Sequence, residues 1–128
     1  MRKIVIDTNI IISAAISDKG NPSKIINLAF DKLFEVYYSP EIMTEYIKVL
    51  SRPRFNFNQE KQQYFIDGIK RIGVLIIPAV SDVPLPDESD RVFYDAAKES
   101  GAILITGNTK HYPAEDFILT PAEFIQGL

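Results

Sequence analysis

Four acidic residues and one amide stand where this chain could do chemistry: Asp7, Glu45, Asp87, Asp90 and Asn108. Asp7 ends the apolar run Ile4-Val5-Ile6 and opens Asp7-Thr8-Asn9, three polar residues inside an otherwise greasy stretch. A carboxylate at the end of a buried strand is costly unless a helix N-terminus, a cation or a metal satisfies its charge. Carboxylates gathered in one crevice repel, and each is driven toward protonation unless a cation joins them. Oxygen-only ligands favour magnesium or manganese over zinc. A metal held this way lowers the pKa of bound water and stabilises charge on a phosphate, which points to phosphodiester hydrolysis.

Each of these residues also has a plainer reading. Asp7 could cap the first helix. Asp87 reads as an N-cap, with Asp90 three residues later as a capping-box partner or an acid favoured by the helix dipole. Glu45 could be a solvated helix residue, although Ile42, Met43, Tyr46 and Ile47 surround it in sequence. Asn108 could be a turn residue after Gly107. The case for chemistry rests on their shared placement.

That placement depends on the elements. Ile4–Ile6 reads as the first strand and Asn9–Ile16 as a buried helix. Asn21-Pro22 reads as a helix start that turns Ile25, Ile26, Leu28, Ala29 and Leu33 inward. Phe34–Tyr38 is the second strand. Ser39-Pro40 opens a helix through Leu50, broken by Arg52-Pro53-Arg54. Asn58–Ile72 is helical, with Tyr64, Phe65, Ile69 and Ile72 at helical spacing, and Gly73 closes it. Val74–Ile77 is the third strand and Pro78–Pro86 a loop. Asp87–Ser100 is a helix ended by Gly101, carrying Val92, Phe93, Ala96 and Ala97 inward. Ala102–Thr106 is the fourth strand, followed by a loop over Gly107–Asp116. Phe117–Leu119 is a short fifth strand, and Thr120-Pro121-Ala122-Glu123 is a capping box opening a terminal helix. Alternating strands and helices argue one α/β domain over residues 1–128, a sandwich whose central, mainly parallel sheet has four to five strands. In such a sheet the strand ends share one edge, and ligands bind there.

Composition narrows the partners. The chain has 128 residues, 46% hydrophobic and 24% charged, an ordinary soluble balance. Its formal net charge of -3 argues against coating nucleic acid by bulk electrostatics. Nucleic-acid binding would need a local basic patch or cations at an acidic site. With no cysteine, disulfides, thiolate zinc sites and cysteine nucleophiles are excluded, and a reducing, cytoplasmic setting is expected. Asp7, Thr8 and Asn9 interrupt the apolar start, which argues against a signal peptide. No apolar stretch is long enough to span a bilayer, so no membrane association is expected.

The string Ile4-Val5-Ile6-Asp7-Thr8-Asn9 resembles the opening of a PIN domain. Ser39-Pro40 followed by Glu45 and then Val49-Leu50-Ser51-Arg52-Pro53-Arg54-Phe55 is similar to the family's next motif. Asp87-Glu88-Ser89-Asp90, with Ala96-Ala97 and then Ile105-Thr106-Gly107-Asn108, matches its third and fourth. The likeness covers essentially the whole chain in motif order. It implies a magnesium- or manganese-dependent endoribonuclease, and for small prokaryotic members a toxin paired with an antitoxin. It also implies that Asp7, Glu45 and Asp90 carry the metal-binding acids and that, with Asn108, they form the catalytic set. Asp87 resembles an additional metal-binding acid of one subgroup, and Thr8, Asn9 and Thr106 would support the site. Asn108 stands where an aspartate is common. The change removes one negative charge and weakens the case for a second tightly held metal. Thr106–Pro113 resembles a form in which Lys110 and His111 could touch an RNA phosphate; alternatively His111 merely orders the loop. Lys48, Arg52 and Arg54 are candidates for a phosphate-gripping patch. The family often dimerises, and Phe55, Phe57, Tyr64 and Tyr112, expected exposed, could serve contacts with a second copy or an antitoxin.

Two other functions compete. A phosphatase using Asp7 as nucleophile, like haloacid dehalogenases, needs an aspartate at position 9, where Asn9 stands. A catalytically weak PIN-like module that binds RNA or a protein draws its support from Asn108.

Overall fold

The structure, a computed structural model, describes Met1–Leu128. It is an α/β/α sandwich around a five-stranded sheet in the order β3-β2-β1-β4-β5. Every strand pair is parallel. Strand β1 (Arg2–Ile6) lies at the centre. Its Ile4, Val5 and Ile6 are completely buried, which suits β-branched residues covered on both faces. From β1 the chain winds outward through β2 (Phe34–Tyr38) to β3 (Gly73–Leu75). It then returns past β1 to β4 (Ile103–Ile105) and β5 (Ile118–Leu119). The winding therefore reverses between β1 and β4, and a crevice opens beyond the carboxyl ends of that pair.

Local chemistry sets most helix ends. Helix α1 (Thr8–Ile16) follows β1 after one residue, Asp7. Helix α2 (Asn21–Phe30) has Gly20, not Asn21, at its N-cap, with φ 95° that favours glycine. Because α2 stops at Phe30, Leu33 lies beyond it and is exposed. Leu28 is half-buried against the core. Helix α3 (Pro40–Leu50) is capped by Ser39, whose Oγ accepts from the Ile42 N–H at 3.2 Å. Helix α4 (Gln59–Ile72) is capped by Asn58, whose Oδ1 accepts from Lys61 N–H at 2.7 Å. Gly73 ends α4 in extended rather than left-handed backbone. A Cβ there would fall 2.6 Å from the Tyr38 ring and from the Ile69 carbonyl, so close packing is what calls for glycine.

The third strand is shorter than expected, and its Val74 and Leu75 are exposed at the sheet edge. The expected helix over Asp87–Ser100 is divided into a 3-10 turn at Glu88–Asp90 and helix α5 (Arg91–Ser100). Gly101, at φ 69°, ends α5 as the left-handed cap. Helix α6 (Pro121–Gln126) carries the expected capping box between Thr120 and Glu123. Helix α5 packs on β1, β2 and β4, whereas α4 packs on β2 and β3. No helix is long and apolar enough to cross a membrane.

Candidate functional site

Asp7 is buried at the end of β1, and its N–H donates to the Ile105 carbonyl across the gap to β4 at 3.0 Å. It occupies the N-cap position of α1 yet makes no side-chain capping bond. Its Oδ2 instead accepts from the Thr106 hydroxyl at 2.9 Å and the Tyr112 hydroxyl at 2.9 Å. Burial pushes the Asp7 carboxyl above its ordinary value. The bonds from Tyr112 and Thr106, and the Asn9 and Thr8 backbone N–H groups, act in the opposite direction. Burial, followed by the Asp7 charge, raises the Tyr112 phenol, which keeps its proton and remains a donor.

Thr106 connects three segments. Besides donating to Asp7, its Oγ1 accepts from the Asn108 N–H at 3.1 Å and takes a long 3.5 Å contact from Asn9 Nδ2. Asn9 Oδ1 in turn accepts from the Gly107 N–H at 3.1 Å. Asn9 and Thr106 thus tie the start of α1 to the loop after β4. Thr8 acts on the Asp7 carboxyl through its backbone N–H, while its hydroxyl is buried without a hydrogen-bond partner.

Asp90 enters from the turn before α5. Its carboxyl is pushed up to about 6, first by burial, then by the charges of Asp7 and Asp87, with Glu45 adding repulsion and His111 opposing it. His111 Nδ1 lies 3.5 Å from Asp90 Oδ2, an ion-pair distance only, and that buried oxygen accepts no hydrogen bond. On its other side the imidazole meets Asn108, with Nδ2 and Nε2 2.9 Å apart. Glu45 is half-buried on α3. The next residue, Tyr46, is fully buried and donates its hydroxyl to the Ile6 carbonyl, locking α3 against the end of β1.

Asp87 is exposed and caps the turn, its Oδ1 accepting from Ser89 N–H at 3.0 Å and Ser89 Oγ at 2.9 Å. The plainer reading of Asp87 therefore describes its contacts, while its charge still reaches Asp90. Arg91 holds the preceding loop by donating to the Ser81 carbonyl at 2.8 Å and the Val83 carbonyl at 2.7 Å. That anchorage fixes where the Asp87–Asp90 turn begins.

The acidic oxygens suit a hard divalent ion, and Asp90 Oδ2 is a buried acceptor in need of a partner. No three His, Asp or Glu side chains are gathered into a finished cage. The arrangement fits an ion held by one or two carboxylates with water completing its shell, as magnesium prefers.

The PIN domain family model matches residues 3–110. The chain belongs to the PIN domain family. A relative in Methanocaldococcus jannaschii, the uncharacterized protein MJ1680, is 37% identical over 109 residues, covering 83% of this chain and 70% of the relative. The crystal structure of VapBC2 from Rickettsia felis, bound to a DNA fragment from their promoter, contains a chain of the same fold. That match has a TM-score of 0.61 and 16% identity, and covers 92% of this chain and 96% of the other.

Within this PIN domain, the basic candidates are distributed differently from the acids. Lys48 is exposed in the last turn of α3 and Arg52 is half-buried just beyond it. The Arg54 guanidinium lies 4.8 Å from the centre of the Phe55 ring, which stacks on Phe57 with centroids 5.5 Å apart. Phe55 and Phe57 are half-buried rather than exposed. Lys110 is exposed in the 3-10 turn Thr109–His111. Tyr112 was expected at the surface and is instead 5% exposed at the heart of the site. Nothing local marks it, since the Tyr-Pro pair reads as loop punctuation and its partner Asp7 is 105 positions away.

Proposed function

We propose that this PIN domain, taken as one unit over residues 1–128, is a divalent-metal-dependent endoribonuclease. The observation carrying this reading is the acid pair at the point where the sheet reverses. Asp90 sits in the repulsive field of Asp7, Asp87 and Glu45, with one carboxylate oxygen buried and unpartnered. Mg2+ or Mn2+ there would relieve the repulsion, and when bound would supply an activated water and neutralise phosphate charge. Asp7 and Asp90 would be the principal ligands. Glu45 and Asp87 would shape the field, and Asn108 would hold a water or the ion's outer shell. Thr106 and Asn9 would keep Asp7 oriented. Lys48, Arg52, Arg54, Lys110 and His111 are the candidates for RNA phosphates.

The test is cleavage of single-stranded RNA in Mn2+, with and without chelator, by the wild type and Asp7→Asn. Cleavage that survives chelation, or an Asp7→Asn protein of full activity, would sink the reading.

We further propose the toxin role, with an antitoxin protein covering the crevice and a homodimer as the working assembly. Support comes from family membership and from a fold neighbour solved as VapBC2 on promoter DNA. Co-purification with the product of a small adjacent reading frame, with loss of RNA cleavage in the complex, would support it. A complex that cuts as fast as the free chain would count against it.

One observation favours a second reading, a module that binds RNA or protein without cutting: no third ligand completes a cage. Calorimetry decides between them, because such a module takes up no Mn2+.

A further inference from the structure

Two hydroxyls converge on one oxygen of Asp7, and they differ in origin. Thr106 immediately follows β4, so its position is inherited from the sheet. Tyr112 comes from the loop before β5, outside any strand or α-helix. Its ring is buried and its hydroxyl reaches Asp7 Oδ2 at 2.9 Å. Asp7 Oδ1 receives no side-chain hydrogen bond, since both side-chain donors are on Oδ2.

We propose that Tyr112 is a positioning residue for Asp7: with Thr106 it occupies Oδ2, fixes the carboxylate rotamer and leaves Oδ1 to meet the metal. The inference rests on the metal-dependent reading above. A carboxylate on a single bond to its backbone rotates unless something holds it, and one donor leaves a hinge where two make a clamp. Ligating carboxylates held by outer hydrogen bonds lose about 10–100-fold in metal affinity when those bonds are removed.

The same contact staples the loop. At one end of the Thr109–His111 turn, Asn108 N–H donates to Thr106 Oγ1 at 3.1 Å. At the other, Tyr112 N–H donates to the Thr109 carbonyl at 3.1 Å while its hydroxyl holds Asp7. His111, beside Asp90, and Asn108, which meets the far side of the imidazole, lie between these two anchors. Tyr112 therefore sets the presentation of Asp7 directly and the Asn108–His111 pair through the loop.

Tyr112→Phe keeps the buried ring and removes only the donor. In the metal-free protein, a double-mutant cycle with Asp7→Ala, which removes the acceptor altogether, read by chemical denaturation, is expected to show coupling. Strict additivity would mean that the bond does not hold the carboxylate and would overturn the proposal. Calorimetric titration with Mn2+ is expected to show affinity lowered about 10–100-fold in Tyr112→Phe. In RNA cleavage kcat should fall while KM for RNA stays near the wild-type value. Wild-type Mn2+ affinity in Tyr112→Phe would overturn the positioning role and leave the nuclease reading standing. A wild type that takes up no Mn2+ would remove the metal reading and this proposal with it, even where the cycle shows coupling. Should Tyr112→Phe fail to fold, Thr106→Val with Tyr112 intact removes the other donor to Oδ2. It should lower Mn2+ affinity as well, and wild-type affinity there would overturn the clamp.

Discussion

Thr106 and Asp7 lie 99 residues apart in sequence, and the Thr106 hydroxyl donates to Asp7 Oδ2 at 2.9 Å across the junction of β4 and β1. The pairing Ile6 with Ile105 puts the two side chains at neighbouring strand ends, so sheet register creates the contact. Thr106 is completely buried and serves as donor to Asp7 and acceptor for Asn108 N–H. Thr106→Val keeps the shape and removes both roles. A buried carboxylate that loses a donor costs about 1–3 kcal/mol. Urea denaturation of the metal-free protein should show a loss of that size; an unchanged midpoint would mean that the bond carries no stability.

Asp7→Asn should separate folding from function. The amide oxygen still accepts from Thr106 and Tyr112, and the charge that burial disfavours is gone. The variant should melt no lower than the wild type, yet bind Mn2+ much more weakly and lose RNA cleavage. Melting curves and calorimetry on the same samples check both halves. A marked drop in melting temperature would return Asp7 to a structural role.

The fold was legible where signals were local. Ser39-Pro40, Thr120-Pro121 and Gly101 mark helix ends that the backbone then adopts. The β-branched run at Ile4–Ile6 was readable as a buried strand, though its central place in the sheet was not. Leu33 misled because its spacing continued the helical pattern after α2 had ended at Phe30. In the site, Asp7, Asp90 and Asn108 could be suspected from their places after strands or before a helix. Tyr112 could not, because burial of a loop aromatic is decided by the sheet it closes over. Thr8 reaches Asp7 through its backbone N–H, a contact that side-chain chemistry does not reveal, while its hydroxyl finds no partner.

Gly68 tests packing away from the site. It lies in α4, and a Cβ there would sit 2.3 Å from Phe30 Cζ. Phe30 cannot withdraw freely, with the Tyr64 ring 5.6 Å and the Phe65 ring 6.3 Å away between centroids. Helix propensity favours alanine over glycine by about 1 kcal/mol, whereas overpacking costs about 1–3 kcal/mol. The clash should win, so Gly68→Ala should lower stability in denaturation while Mn2+ affinity stays unchanged. A stabilised variant would show that the Phe30 ring yields at little cost.

Asp90 makes stability depend on pH in a direction opposite to that of a salt-bridged carboxylate. Unfolded, its carboxyl titrates near 3.8; folded, near 6. Between those values the folded chain holds the extra proton, so stability falls as pH rises from about 4 to about 6 and then levels. In Asp90→Asn that contribution should disappear, which pH-dependent denaturation of both proteins in chelator would reveal. Mn2+ should reverse the trend, because it needs the ionised form that the empty fold disfavours. At a hundredfold excess over Kd, binding to the folded state alone adds about 2.7 kcal/mol. The thermal shift produced by a fixed Mn2+ concentration should therefore be large at pH 7.5 and shrink toward pH 5. An equal shift at both pH values would mean that Asp90 does not hold the ion.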